Sequence, residues 1–206
     1  MHEEVKHPCV QHKLALIRDQ DTGYKKFREL ATEITMFLCY EALKNVKVKA
    51  VKIQTPLAET ECYKIAEDMV VVPILRAGVG MLEGILDLVP TARVGMVGIY
   101  RDSKTKAPVA YYQKLPPQTD GGLCIVIDPM LATGGSTAAT VQLLKDAGAA
   151  TVVVVCIVTC PEGLQTMQDE HPDVAIYTAS IDDRLDERKY IVPGLGDAGD
   201  RLFGTR

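Results

Sequence analysis

From Tyr24 to Leu43 apolar side chains return every three or four positions, at Phe27, Leu30, Ala31, Ile34, Phe37 and Leu38. That stripe predicts an amphipathic helix with one face on a core. The pattern then changes. Val46, Val48, Val51 and Ile53 predict a strand with a local irregularity, closed by Thr55-Pro56. Four segments follow that are largely apolar at consecutive positions: Met69–Leu75, Val94–Tyr100, Leu123–Asp128 and Thr151–Val158. Apolar residues on both faces imply strands covered on both sides, as in a parallel sheet between helices. Gly80–Leu88, Ser136–Asp146 and Pro161–Gln168 read as the intervening helices. Ser136 or Thr137 can cap the second and Gly148 can end it. The alternation predicts a single α/β domain over 1–206, with an open, mostly parallel sheet, flanking helices and ligands at the carboxyl ends of the strands.

One stretch breaks the alternation. Residues 101–120 hold Lys104, Lys106, Pro108, Lys114, Pro116 and Pro117 around Val109-Ala110-Tyr111-Tyr112. It reads as an excursion from the sheet, a hairpin arm of the length that usually serves function or an interface. At the N-terminus, His2, His7 and His12 recur at a period of five. That period matches neither one helix face nor a metal-ligand spacing, so this segment reads as solvated.

Composition narrows the function classes. Of 206 residues 47% are hydrophobic and 24% charged, which fits a folded globular chain. The net charge is -4, so no global basic field draws nucleic acid or an anionic membrane. The longest apolar run, Val152–Val158, is far short of the ~18 residues of a membrane span. Met1-His2-Glu3-Glu4 lacks the start of a signal peptide. The six cysteines form no Cys-x-x-Cys pair, and several lie in apolar runs. Cys156 and Cys160 would stand roughly 13 Å apart on a strand, too far for one disulfide. Reduced thiols and a cytoplasmic address follow.

The richest segment is Leu123-Cys-Ile-Val-Ile-Asp128-Pro-Met-Leu-Ala-Thr133-Gly134-Gly135-Ser136-Thr137. A buried strand runs into an acid, a Gly-Gly turn flanked by hydroxyls, and a helix start. Glycines let the backbone curl around an anion, and the helix N-terminus aims its amides at it. Asp128 is placed to hold sugar hydroxyls or a hydrated Mg²⁺. The Gly-x4-Gly-Lys pattern of a nucleoside triphosphatase loop is missing.

Three further segments carry chemistry. Val72-Pro-Ile-Leu-Arg76-Ala-Gly78-Val-Gly80 ends a strand with a forked cation and two glycines, a second anion site. Its glycines miss the dinucleotide spacing by one residue, since the third is Gly84. Tyr100-Arg101-Asp102 ends the next strand and opens the arm. In Tyr190-Ile-Val-Pro-Gly194-Leu-Gly196-Asp197-Ala198-Gly199-Asp-Arg201, Gly-x-Gly-x-x-Gly is satisfied, but seven residues after Gly199 cannot build a βαβ unit. Such a glycine-rich loop can present backbone donors and acceptors to a small flat base.

Asp128-Pro-Met-Leu-Ala-Thr-Gly-Gly-Ser136 resembles the loop of phosphoribosyltransferases that binds phosphoribosyl pyrophosphate (PRPP). Most of that superfamily carries two adjacent acids here. Pro129 in the second place resembles the uracil-specific branch, and the likeness runs along nearly the whole chain. The resemblance implies a type I phosphoribosyltransferase-like fold with a hairpin arm at about 101–120, a base loop at about 190–201 and a small hood formed by the terminal segments. It implies transfer of phosphoribose from PRPP to uracil, giving UMP and pyrophosphate in pyrimidine salvage. The rival expectations are transfer to another base and a PRPP-sensing regulator. The 5′-phosphate and ribose fall to Asp128, Pro129, Met130, Leu131, Ala132, Thr133, Gly134, Gly135, Ser136 and Thr137. Arg76 and Arg101 fall to the pyrophosphate, and Tyr190, Ile191, Gly196 and Ala198 to uracil. Asp197 falls on the PRPP side, near ribose hydroxyls or the Mg²⁺ that travels with PRPP; no direct protein ligand to the metal is assigned. Members of the family are usually homodimers or larger, and some respond to GTP. A homodimer or homotetramer, with GTP as activator, is therefore the expectation.

Overall fold

The computed structural model describes residues 1–101 and 108–205, with Arg101 described in its backbone alone. Strand β1 (His2–Glu4) and helices α1 (Pro8–Arg18) and α2 (Tyr24–Ala42) open the chain. A hairpin of β2 (Val48–Gln54) and β3 (Glu59–Ile65) precedes β4 (Met69–Leu75). A 3₁₀ turn at Ala77–Met81 leads into α3 (Leu82–Leu88), then β5 (Arg93–Val94), β6 (Met96–Arg101) and β7 (Pro108–Lys114). β8 (Leu123–Ile127), β9 (Met130–Leu131), α4 (Gly135–Asp146), β10 (Thr151–Thr159), α5 (Pro161–Glu170) and β11 (Ala175–Ile181) follow. β12 (Arg184–Leu185), β13 (Ile191–Val192) and α6 (Ala198–Phe203) close the fold.

The main sheet runs β1-β11-β10-β8-β4-β6-β7, with β5 beside β4 and β9 beside β10. Every pairing in it is parallel except β6 with β7. The continuous apolar runs explain this. Val71, Ile125, Ile127, Val153, Val155 and Ile157 point to one face, where they pack with Phe27, Leu30, Ile34 and Leu38 of α2 and Ile85 of α3. Val70, Val72, Cys124, Val126, Val154 and Cys156 point to the other, against Ala138, Val141 and Leu144 of α4 and Met167 of α5. Burying each such aliphatic side chain stabilises the fold by about 1.5–3 kcal/mol, and here alternate residues of the same strands are buried on opposite faces. Burial also pushes the thiols of Cys124 and Cys156 up to about 11 and about 12, so they pack as small apolar groups. All six cysteines are free.

Four expectations need correction. The N-terminal segment is not merely solvated: β1 extends the sheet, and Val10, Leu14 and Ile17 of α1 are buried. His7 caps α1, its Nδ1 accepting from the Cys9 amide at 3.2 Å. Residues 101–120 do not leave the sheet throughout. β7 pairs with β6 from Met96↔Lys114 to Arg101↔Pro108, around an irregularity at Gly98/Ile99, and so extends the sheet edge. Asp102, Lys104 and Lys106, and the side chain of Arg101, lie outside the described residues. The strand expected from Val46 to Ile53 forms over Val48–Gln54 but without the expected irregularity: it pairs in unbroken register with β3 in a separate hairpin, exposed along most of both strands. Lastly, α4 starts at Gly135 and Gly134 occupies its N-cap, without a side-chain cap from Ser136 or Thr137.

Among the described residues no helix is long and apolar enough to cross a membrane.

Candidate active site

The carboxyl ends of β4 and β8 lie side by side, with Pro73 opposite Ile127. The peptide that follows β4, Leu75–Arg76, is cis, as is Val192–Pro193. Gly78 packs directly on the Ile127 carbonyl, with no room for a Cβ between them. That contact brings the Arg76 turn against the strand that ends in Asp128. Two residues on, Gly80 meets Leu202 of α6, where a Cβ would stand 2.5 Å from Leu202 Cδ2. The turn therefore seats the C-terminal helix as well. Arg76 itself projects outward, its side chain 60% exposed. Its Nη2 is 3.8 Å from Asp200 Oδ1, and its guanidinium stands 5.8 Å from the ring centre of Phe203.

The loop after β8 is held by its carbonyls. The Pro129 carbonyl accepts from the amides of Ile157 and Val158 at 3.0 and 3.1 Å. The next three carbonyls that matter are taken by side chains. Thr159 Oγ1 donates to Leu131 at 2.9 Å, Cys160 Sγ to Ala132 at 3.3 Å, and Thr166 Oγ1 to Thr133 at 2.9 Å. Gly163 lets α5 approach this closely, since a Cβ there would stand 2.5 Å from the Leu131 oxygen. Gly134 then turns the chain with φ +83°, left-handed backbone that favours glycine. α4 begins there with its first amides free of any side-chain cap, which is the arrangement an anion completes. Thr133 and Ser136 are half-buried beside it and Thr137 is buried.

Asp128 stands half-buried at the head of this loop. Burial pushes its carboxyl up to about 7, against the opposing pull of the Met130 amide. A carboxylate in that state gains from hydroxyl donors or a cation.

The C-terminal loop lies against the Arg76 turn. Ile191 and Ala198 are buried, while Gly196 and Tyr190 are exposed. Tyr190 has both backbone groups paired with Asp186, its amide to Oδ1 and its carbonyl to the amide, each at 2.8 Å. Asp197 caps α6, accepting from the Asp200 amide at 2.9 Å. Gly199 sits where a Cβ would be 3.7 Å from Arg76 Nη2, so Arg76 borders this loop too. Asp197, Asp200, Arg201 and Gly204 line a cleft of about 340 Å³ together with Gln20, Thr22 and Tyr24.

Sequence reasoning missed several residues that set this geometry: Arg18, Thr159, Cys160, Gly163, Thr166 and Asp182. Arg201 stood in the quoted loop without a role. It lies 4.4 Å over the Phe27 ring, donates to Leu195 O at 2.9 Å and to Asp19 O at 2.5 Å, and so ties the C-terminal loop to the N-terminal segment. Only the acid pair Asp182-Asp183 at the end of β11 offered a signal in the sequence.

The family model of uracil phosphoribosyltransferase matches residues 4–205. The chain belongs to the uracil phosphoribosyltransferase family. Relatives so named include one from Clostridium botulinum (strain Eklund 17B / Type B), 51% identical, with 98% of each chain covered. Another, from Alkaliphilus metalliredigens, is 53% identical over 98% of this chain and 97% of its own. A solved structure of the AQ2163 protein from Aquifex aeolicus is similar with a TM-score of 0.95 at 37% identity, covering 100% of this chain and 99% of that one. A hypoxanthine phosphoribosyltransferase from Staphylococcus aureus shares the fold alone, with a TM-score of 0.53 at 12% identity over 89% of this chain and 84% of its own. Pro129 follows Asp128 in place of a second acid, and its carbonyl serves β10.

Proposed function

We propose that the chain transfers the phosphoribosyl group of PRPP to uracil, forming UMP and releasing pyrophosphate. One observation carries the reading: the uncapped start of α4 behind the Gly134 turn, on the loop that Asp128 opens, with the turn of the exposed Arg76 packed through Gly78 against the strand that leads into Asp128. The start of α4, with Thr133, Ser136 and Thr137, takes the 5′-phosphate. Asp128 accepts from the ribose hydroxyls. Arg76 takes the pyrophosphate, with Arg101 as its expected partner.

When the anomeric C1–O bond breaks, positive charge grows on the sugar and negative charge on the leaving oxygen. The residues needed are those that neutralise and align, and Arg76 does the first. Binding the remote phosphate at α4 does the second, because it fixes C1 relative to the incoming base. Mg²⁺ keeps most of its water and commonly binds one or two carboxylates plus substrate phosphates. Asp128 and Asp197 fit that donor set, and a cation would favour the ionised form of Asp128. Bound with PRPP, the ion would add charge neutralisation at the pyrophosphate. Uracil offers two carbonyls and two N–H groups, a pattern that backbone at Ile191, Gly196 and Ala198 can match. Tyr190, with its backbone already paired, contributes through its ring.

The free thiols fit a cytoplasmic enzyme. The outward Leu57 and Tyr63 of the β2–β3 hairpin, 95% and 70% exposed, fit a homodimer or homotetramer.

A pyrophosphate-release assay with Mg²⁺, PRPP and a panel of bases tests the reading. Uracil is expected to react and cytosine, whose 4-amino group donates where uracil accepts, is expected not to. Release with a purine alone, or with no base, would overturn it. PRPP binding without turnover would leave a sensor.

A further inference from the structure

The base loop is gripped from behind by an ion pair outside the residues assigned to any ligand. Asp182 follows β11 and is 5% exposed. Its two oxygens accept from Arg18 Nη1 and Nη2 at 2.8 and 2.5 Å. Oδ1 also accepts from the Ser180 hydroxyl at 2.8 Å, and Oδ2 from the Gly194 amide at 2.9 Å. Arg18 Nη1 then donates to the Gly194 carbonyl at 2.7 Å. Both backbone groups of Gly194 are thus closed into a ring with one bidentate pair. Gly194 has φ +57°, and a side chain there would strike the Ile191 carbonyl. One residue on, Arg201 occupies the Leu195 carbonyl. The chain is committed to the scaffold at 194 and 195 and becomes exposed again at Gly196.

We infer that Arg18 and Asp182 are positioning residues for the nucleobase, setting uracil affinity without touching either substrate. The inference rests on the reading that the 190–201 loop carries the base. Backbone donors and acceptors recognise a base only when held close to one geometry, and a charge-assisted bidentate pair is the stiffest local support available. The pair comes from the end of α1 and the end of β11. The phosphate loop hangs instead on Thr159, Cys160 and Thr166, and the Arg76 turn on Ile127. Loosening Arg18 therefore frees the loop at Gly194, while Asp197 stays tied through its α6 cap to Asp200 and the phosphate loop keeps its own anchors.

The test is steady-state kinetics on Arg18→Met and Arg18→Lys, with PRPP affinity measured by calorimetry. Arg18→Met is expected to raise KM for uracil about tenfold or more, since small misplacements of a binding group cost that much. PRPP affinity is expected to stay within about twofold of the parent chain, because the bond that joins the two supports, from the Asp182 amide to the Thr159 carbonyl at 2.7 Å, is backbone and survives the substitution. Arg18→Lys, which keeps the charge but loses the fork, is expected to fall between. Unchanged KM for uracil in folded Arg18→Met, or equal losses for uracil and PRPP, would overturn the inference. Should Arg18→Met not fold, Arg18→Lys must still show the uracil-only effect, and parental kinetics there would overturn it equally. If the parent chain binds PRPP yet turns over no uracil, the fault lies with the proposed function and not with the pair.

Discussion

Gly78 lies against the carbonyl of Ile127 so tightly that no Cβ fits between them, and this contact fixes Arg76 beside the strand end that carries Asp128. Gly78→Ala must push the turn away from β8. The cost expected of such overpacking is about 1–3 kcal/mol, read from urea denaturation. Because the shift separates Arg76 from the phosphate loop, PRPP affinity is expected to fall as well. A variant with parental stability and parental PRPP binding would contradict this arrangement of the two loops.

The two glycines of the phosphate turn make different predictions. Gly134 has φ +83°, and a Cβ there would stand 2.7 Å from Thr166 Cβ. Gly134→Ala is therefore expected to destabilise the fold by about 1–3 kcal/mol and to weaken PRPP together with it. Gly135 has only Thr133 Oγ1 near its missing side chain, at 3.9 Å. Gly135→Val is expected to leave the melting midpoint nearly unchanged, yet to abolish PRPP binding by filling the space an anion needs. Calorimetry paired with thermal denaturation separates the two. A Gly135→Val protein that binds PRPP normally would empty the turn of its proposed ligand.

How much of this was legible in the sequence depended on range. Met69–Leu75 and Leu123–Ile127 were readable because both faces of each strand are buried, so the apolar run and the strand coincide. The Gly134 turn and its helix were readable because their chemistry is local. The β3 strand was not, since Glu59-Thr-Glu-Cys-Tyr-Lys-Ile65 lies almost wholly exposed and no core imposes alternation on it. α1 carried a stripe at Val10, Leu14 and Ile17, but the histidines before and within it obscured it. Arg18 and Asp182 are 164 positions apart, and nothing short of the fold pairs them. The supports of the phosphate loop are likewise set by β10 and α5, about thirty residues downstream of the motif they hold.

Asp128 sets a pH dependence whose sign can be worked out. Burial raises its carboxyl from 3.8 to about 7 in the folded chain. The stabilisation of the neutral form is complete below the unfolded value and is lost as pH rises through about 7. Asp128→Asn stays neutral throughout. It is expected to be more stable than the parent at pH 8 by roughly 4 kcal/mol, with the difference vanishing near pH 4. PRPP binding should show the opposite trend. The parent needs the ionised acid to accept ribose hydroxyls, so its affinity is expected to rise from pH 6 to 8 more steeply than that of Asp128→Asn. Parallel affinity profiles would remove Asp128 from the ribose.

Arg76 borders α6 and Arg201 belongs to it, yet their losses should read out in different assays. Arg76 is 60% exposed, and its 3.8 Å contact to Asp200 is the kind of surface pair worth at most about 1 kcal/mol. Arg76→Ala is expected to shift unfolding by less than about 0.5 kcal/mol while lowering kcat about 10²–10³-fold, the usual cost of deleting a group that meets developing charge. Arg201 has the opposite character. Burial lowers its pKa against the pull of Asp19, it stacks on Phe27, and it holds the carbonyls of Leu195 and Asp19. Arg201→Ala abandons a cation–π contact and two charge-assisted bonds, so a loss of about 2–4 kcal/mol in stability is expected. Its kinetic defect should appear in KM for uracil, because the Leu195 anchor of the base loop goes with it. If Arg76→Ala unfolded the chain while Arg201→Ala left both stability and uracil KM untouched, the division between a chemical and a supporting arginine would be reversed.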